Sequence, residues 1–413
     1  MKNFAVVGVG NYADNYIKTI QKLERENIAN LFCVVIRDRD KYAERAAELD
    51  KDGVVVYTSF EKMLMYGKGK IDIIALPIAS PDHFEYAAQA LAEDYDIIVE
   101  KPAAITIQEV DELLRVQLKT DNYCIVANEF LYSTSINLLC NEITSGKIGK
   151  IKKIRALCGW PAGSKHYERN SWTGKMLTDN KKWSLDGPAT NYCAAILANA
   201  IYLLRTTCAP ENGIQSVQAE LYRAYDIASY DTACLRVKME DGAEIFFAGS
   251  YAVENQILPI MELECENATV SWNFEDEKTI IRFTNGRKKI FRERNLEQKF
   301  ESIFREAITL TSSRSRTPTS TVQNARSHVL TVNLAFESAQ EIVTVPPEFI
   351  GSSKNKQHPK VYIKNLNETL LTAYQQGKLF SETGVEWARP TQPVPANGYH
   401  AFPNAASLKN LLK

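Results

Sequence analysis

Histidine is among the scarcest residues of this 413-residue chain, with five copies at positions 83, 166, 328, 358 and 400. No two stand at the close spacing of metal ligands, which excludes a histidine-built metal site, so no metal is expected. Eight cysteines, at 33, 124, 140, 158, 193, 208, 234 and 265, include no C-x-x-C pair. That pattern fits reduced, mostly buried thiols in a reducing compartment, so no disulfides are expected. Long apolar runs are missing too. The best, 193–204, is about a dozen residues and contains Asn199, whereas a bilayer needs ~20. The opening Met1-Lys2-Asn3 runs directly into Phe4-Ala5-Val6-Val7 without a secretory h-region, so a cytoplasmic, membrane-free protein is expected. Charge of one sign is also lacking. With 49 basic and 50 acidic residues the net charge is −1, which argues against nucleic acid as the main partner.

What is present is a folding composition: 45% hydrophobic and 24% charged residues exclude disorder as the dominant state. The length corresponds to two or three domains of roughly 150 residues. Apolar runs at 4–8, 32–36, 54–57, 71–76, 97–100 and 123–127 alternate with amphipathic segments at 12–23, 41–49, 60–65, 83–92 and 108–118. Continuously apolar strands separated by helices predict a doubly wound α/β domain over 1–130. After a helix at 134–144, strands are predicted at 150–156, 217–222, 232–239, 244–250, 260–265, 269–274, 279–283 and 288–291. Asp241-Gly242 and Asn285-Gly286 stand where tight hairpin turns are needed. Helices return at 296–310, at 321–342 behind a capping box of Ser320 and Gln323, and at 363–376. A Pro-rich extended tail follows. The second domain, 131–413, is therefore α+β with a mostly antiparallel open sheet, whose uncovered face is a plausible surface for a homo-oligomer, a dimer or tetramer.

Gly8-Val9-Gly10-Asn11-Tyr12-Ala13 follows the first strand and opens a helix. In G-x-G-x-x-A, Gly8 makes the tight turn, Gly10 lets the backbone approach a pyrophosphate, and Ala13 allows close helix–strand packing. The helix N-terminus supplies N–H groups to the phosphates. Arg37-Asp38-Arg39-Asp40 ends the second strand. An acid there suits the ribose of NAD and an arginine the 2′-phosphate of NADP; Asp38 favours NAD and leaves NADP open.

Ile97-Ile98-Val99-Glu100-Lys101-Pro102 at the end of a later strand adds a second signature. With the glycine motif, with Gly146-Lys147-Ile148-Gly149-Lys150-Ile151 and with the segment from Ala325-Arg326-Ser327-His328 to Phe336-Glu337-Ser338, it resembles the glucose-fructose oxidoreductase and inositol dehydrogenase family (Gfo/Idh/MocA). The likeness covers about residues 1–345. It implies an NAD(P)-dependent dehydrogenase or reductase acting on the CH–OH group of a sugar, cyclitol or related polyol. It also implies a Lys101 base beside the nicotinamide, a cofactor shell that includes Pro77, His83, Glu100 and Asn128, and a cis bond between Lys101 and Pro102. Burial and a cationic nicotinamide would both lower the pKa of Lys101.

The family's D-x-x-x-H on the first long helix of the second domain is changed here. Asn191 falls at the aspartate position and Ala195 at the histidine position, with Asn199 on the same predicted helical face. Neither Asn191 nor Ala195 exchanges protons near neutral pH. The loop 160–175 concentrates Trp160, His166, Tyr167, Arg169, Asn170, Trp172 and Lys175. Rings with convergent hydrogen-bonding groups suit a polyol, so Trp160, Tyr167, Arg169, Asn170, Trp172, Lys175 and Asn191 are the substrate-binding candidates. His166 or Tyr167 would assist Lys101. Two alternatives follow: a catalytically silent sensor that binds dinucleotide and sugar, and a glycosidase assisted by NAD.

Overall fold

The computed structural model describes residues 1–206, 213–275, 278–292, 297–314, 316–353 and 359–404. Cys208, His358, Leu296 at the start of one expected helix and Ser315 lie outside the described residues. The chain divides into two compact units.

In chain order the elements begin with β1 (Lys2–Val7), α1 (Ala13–Arg25), β2 (Ala29–Val35), α2 (Ala43–Lys51), β3 (Val55–Tyr57) and α3 (Phe60–Gly67). They continue with β4 (Ile73–Leu76), α4 (His83–Ala92), β5 (Asp96–Glu100), α5 (Ile107–Gln117) and β6 (Cys124–Ala127). The strands form one parallel six-stranded sheet in the order β3-β2-β1-β4-β5-β6. This is the doubly wound arrangement that the alternation predicts. The order reverses between β1 and β4, and a ligand crevice opens at the carboxyl ends of the strands flanking such a reversal. α1 places Tyr16, Ile17, Ile20 and Leu23 on one buried face at helical spacing.

The first unit extends further along the chain than predicted. It takes in 297–326 as well as 1–105 and 109–132, because α9 (Glu297–Ser313) completes its core. Ile303, Phe304, Ala307 and Leu310 are buried there with Phe4 and Ile17. Ring contacts join Tyr16 to Phe300 at 5.0 Å and to Phe304 at 5.3 Å. The segment follows the second-domain strands in sequence, so chain order alone assigns it to the wrong unit. The cap of α10 (Val322–Ala339) also differs: the Asn324 N–H donates to Thr321 Oγ1 at 3.0 Å. Ser320 instead offers its carbonyl to the Val126 N–H at 3.1 Å.

In the second unit α6 (Thr134–Thr144) starts at a Ser133 cap and is followed by Gly146 at φ +72°. Then come β7 (Ile151–Gly159), α7 (Ser164–Glu168), α8 (Ala194–Arg205), β8 (Ile214–Arg223), β9 (Thr232–Met239), β10 (Glu244–Ser250) and β11 (Ile257–Cys265). β12 (Ala268–Asn273), β13 (Lys278–Phe283), β14 (Lys288–Arg292) and the short β15 (Val343–Thr344) complete the main sheet, ordered β14-β13-β12-β11-β7-β10-β9-β8-β15. Neighbours are antiparallel except the parallel pairs β7 with β10 and β8 with β15. Gly242 at φ +87° and Gly286 at φ +82° turn the two predicted hairpins.

The expected uncovered sheet face is filled over β7 and β10. α8 packs on both strands, and α11 (Leu366–Gln376) packs on both as well. Leu366, Leu370, Ala373, Leu379, Phe380 and Trp387 are buried in one cluster with Leu157, Phe246 and Ala248. The segment after residue 345, read from sequence as one helix and a tail, therefore supplies the second cover of the sheet. The tail is extended, as expected, with Val394 and Pro395 pairing onto β8.

Candidate functional site

The glycine loop has the geometry its sequence demands. Gly8 and Gly10 sit at φ +105° and +78°, where a side chain is strained, and Asn11 follows at φ +50°. The Gly8 N–H donates to the Val35 carbonyl at 2.9 Å, tying the loop to β2. A Cβ on Gly8 would stand 4.0 Å from that of Ala13, and a Cβ on Gly10 only 3.1 Å from the Tyr42 ring. No side chain caps the N-terminus of α1 at Tyr12. The Gly10 N–H donates to Asp14 Oδ1 at 3.2 Å, and Arg45 Nη2 stands 3.7 Å from the same oxygen. An anionic oxygen thus already rests on this loop, and the uncapped helix end suits phosphate.

At the end of β5, Glu100 is buried and Lys101 is joined to Pro102 by a cis peptide, as the family resemblance implies. The Tyr16 hydroxyl donates to Glu100 Oε1 at 2.5 Å, and the Lys101 N–H to Glu100 Oε2 at 3.2 Å. Burial and repulsion from Glu129, after the opposing pull of Lys101, push Glu100 up to about 7. Lys101 departs from expectation. Burial pulls its pKa down, but the carboxylates of Glu129 and Glu100 more than offset it, and the net shift is upward. Glu129 Oε2 is buried without a hydrogen-bond partner among the described residues. Tyr12 belongs to the same cluster. Its hydroxyl is raised by burial and by Glu100 and Glu129, while its ring meets Tyr16 edge-on at 6.0 Å.

The remaining cofactor candidates are only partly assembled. Pro77 follows β4 directly and is half-buried, and Asn128 is buried just past β6. His83 is a structural clamp: Nδ1 lies 2.6 Å from the Pro102 carbonyl oxygen and Nε2 3.1 Å from that of Ile78. Its burial lowers the pKa. Held neutral, the ring carries one N–H and donates to only one of these two carbonyl oxygens. Beyond β2, Asp38 Oδ1 accepts the Lys41 N–H at 3.0 Å, a turn contact that leaves its other oxygen available. Arg39 pairs with Asp50 at 2.5 Å, and Arg37 lies over the Tyr86 ring at 5.9 Å.

In the second unit, loop 160–175 surrounds an aromatic cluster. Trp160 stacks on Tyr192 at 4.9 Å and 22°. His166 makes edge contacts with Trp160 at 5.1 Å, Tyr167 at 4.9 Å and Tyr251 at 5.1 Å. Both His166 ring nitrogens and the Tyr167 hydroxyl are buried without hydrogen-bond partners among the described residues. Burial, helped by Arg169, pushes His166 down to about 4, and burial raises Tyr167 well above the usual phenol range. Near neutral pH the His166 ring is therefore neutral and the Tyr167 hydroxyl keeps its proton. Asn170 braces the loop itself, its Oδ1 accepting from the N–H groups of Trp172 and Thr173 at 3.1 and 2.8 Å. Arg169 lies over Trp172 at 5.9 Å, and Lys175 pairs with Asp179 at 2.8 Å.

Asn191 is not on a helical face with Ala195 and Asn199, because α8 begins at Ala194. It lies in the preceding turns and donates Nδ2 to Asp186 Oδ1 at 2.9 Å. The Gly174 N–H donates to Asp186 Oδ2 at 2.7 Å, and burial pushes this carboxyl up to about 6. Tyr16, Glu129, Asp186, Tyr192 and Tyr251 were not among the sequence candidates. Tyr16 reads locally as an ordinary buried position of an amphipathic helix, and its link to Glu100 spans 84 residues. Tyr192 carried a usable signal, a ring beside the altered D-x-x-x-H segment.

Residues 2–128 match the oxidoreductase family with an NAD-binding Rossmann fold, Gfo/Idh/MocA. A D-xylose 1-dehydrogenase [NADP(+)] of Haloarcula marismortui is 23% identical over 207 residues, 49% of this chain and 52% of that protein. A glycosyl hydrolase family 109 protein of Solibacter usitatus is 25% identical over 155 residues, 35% of this chain and 34% of that protein. The chain thus spans about half or less of these curated relatives. The fold of the WlbA dehydrogenase of Bordetella pertussis, solved with NADH and UDP-GlcNAcA, matches with TM-score 0.65 at 18% identity, covering 82% of this chain and 96% of that one. A levoglucosan dehydrogenase solved with NADH matches with TM-score 0.69 at 13% identity, covering 82% and 96%.

Proposed function

From residues 2–128, which belong to the Gfo/Idh/MocA oxidoreductase family, we propose that the chain is an NAD(P)-dependent oxidoreductase acting on a CH–OH group of a sugar or related polyol. The observation that carries this reading is the corner of Glu100, Lys101 and cis-Pro102 within the same unit as an open glycine loop. Gly8, Gly10 and the N-terminus of α1 would hold the pyrophosphate, and Asp38 the adenosine ribose. When bound, the nicotinamide supplies hydride chemistry.

Lys101 is the residue that holds and moves the proton of the substrate hydroxyl, at Nζ. Glu100 and Glu129 keep Nζ cationic at rest, which suits donation to a carbonyl oxygen in reduction. In oxidation the same group accepts the hydroxyl proton once it is deprotonated, so that direction gains with rising pH.

The test is reduction of NAD and NADP by the purified protein across a panel of sugars, alditols and cyclitols, followed at 340 nm. Dinucleotide binding without turnover on the whole panel would defeat the enzyme reading and leave the sensor. The relative named for glycosyl hydrolase family 109 supports a second reading, glycoside cleavage with the cofactor recycled. Release of sugar from aryl glycosides without net NADH would select it.

A further inference from the structure

We propose that Tyr192 is a stacking platform that selects a sugar in its closed ring form over an open-chain polyol. The inference rests on the sugar reading above and narrows it. Tyr192 exposes 42% of its surface although it is a large aromatic residue in a turn. An exposed ring with no function is normally free to move, but this one is held at two points. Its face stacks on Trp160 at 4.9 Å and 22°. Its backbone N–H donates to the Tyr251 hydroxyl at 2.8 Å.

Trp160 in turn is wedged edge-on against His166 and Tyr251, at 5.1 and 5.8 Å. The inner rings are therefore fixed by packing, and Tyr192 presents a rigid apolar surface to solvent at low entropic cost. A pyranose in its chair form carries a flat face of C–H groups that covers such a ring. An alditol has no fixed flat face and must freeze several rotors to form one, so the platform discriminates by shape and entropy. The turn that carries Tyr192 is anchored on buried Asp186 through Asn191 Nδ2 at 2.9 Å, which gives the altered D-x-x-x-H segment a positioning role in place of an imidazole.

The experiment compares D-glucose and D-xylose with sorbitol and xylitol on the NADH- or NAD-loaded protein, by saturation-transfer NMR and steady-state kinetics. The ring sugars should bind more tightly than the alditols of equal carbon number. Tyr192→Ala should raise KM or Kd for the ring sugars by about tenfold with kcat little changed, the loss of roughly one aromatic contact. Tyr192→Phe, which keeps the ring, should stay within about twofold of wild type. Equal use of alditols, an unchanged KM in Tyr192→Ala, or no saturable binding of either aldose overturns the platform. Aldose binding that is sensitive to Tyr192 but never turned over would keep the platform and defeat the oxidoreductase reading. NADH titration of Tyr192→Ala, expected to match wild type, shows that the variant is folded.

Discussion

The Tyr16 hydroxyl and the Glu100 carboxylate meet at 2.5 Å in a fully buried setting. That bond favours the ionised form of Glu100, against burial, which holds it up at about 7. Glu100 therefore titrates near neutral pH, beside the cationic Lys101. Tyr16→Phe removes the donor and should raise Glu100 by about one unit, the worth of a hydrogen bond to a charged group. Lys101, shifted upward from an ordinary value already far above 7, loses its proton where Glu100 is ionised in both proteins, so the rising limb of kcat/KM for alcohol oxidation should stay in place in Tyr16→Phe. Only the step near neutral pH, where Glu100 titrates, should move to higher pH in the variant. A neutral-pH step at the wild-type position would show that the Tyr16 hydroxyl does not set the ionisation of Glu100.

Lys101→Ala should abolish turnover, a loss of about 10² to 10⁴ in kcat, while dinucleotide affinity stays within about twofold. The separation is expected because the glycine loop, in its own bonds, makes no use of Lys101. Fluorescence titration with NADH beside steady-state assays gives both numbers. Turnover near the wild-type rate removes Lys101 from the mechanism.

Gly10 can be tested for two effects at once. Gly10→Ala places a methyl in the left-handed region at φ +78° and 3.1 Å from the Tyr42 ring. The ring can give way, but the backbone strain of about 1–2 kcal/mol stays with the residue. Dinucleotide affinity should fall in Gly10→Ala and should not return in Gly10→Ala/Tyr42→Ala. Recovery in the double variant would show that the Tyr42 contact, and not loop conformation, sets the glycine requirement.

The parallel sheet and the glycine loop were legible because each rests on local residue chemistry: apolar strand runs and glycines suited to positive φ. The cis bond before Pro102 and the rest of the cofactor shell came instead from the family resemblance of the Glu100-Lys101-Pro102 segment. What stayed hidden depends on distant partners. Nothing around position 304 tells that Phe304 packs on Tyr16 in the first unit, and nothing around position 370 tells that Leu370 closes a sheet begun at residue 151. His83 was singled out by the family resemblance and His166 by its place in an aromatic loop. The carbonyls and rings that surround them are brought up by distant segments, which sequence spacing does not encode.

His166 also makes a pH prediction. Its folded pKa of about 4 lies below the ordinary value of 6.5. As pH falls through 6.5 the unfolded chain takes up a proton that the folded ring refuses, so stability drops until about pH 4, where both states are protonated. The loss amounts to up to about 3 kcal/mol. Buried Asp186 and Asp231, both pushed up to about 6, act in the opposite direction over the same range. The difference between variant and wild type therefore isolates the histidine. His166→Phe should flatten the acid-side fall in chemical-denaturation midpoints between pH 6.5 and 4. Parallel pH profiles for the two proteins would show that the ring is not held neutral.

The cover on the second-unit sheet yields the last prediction. Leu370 is fully buried in the cluster that α11 forms with Leu157, Phe246 and Ala248. Leu370→Ala should cost about 2–5 kcal/mol, as for other buried leucines. Leu370→Asp adds the cost of an unpaired buried charge and should lift α11 from the sheet. The uncovered strands β7 and β10 would then expose a contiguous apolar face, and such faces associate. Light scattering should show Leu370→Asp self-associating at concentrations where wild type does not, and hydrogen exchange should show lost protection in β7 and β10. If Leu370→Asp kept wild-type exchange on those strands, the helix would not be their cover, and the sheet face would be open to a second copy as the antiparallel pattern first implied.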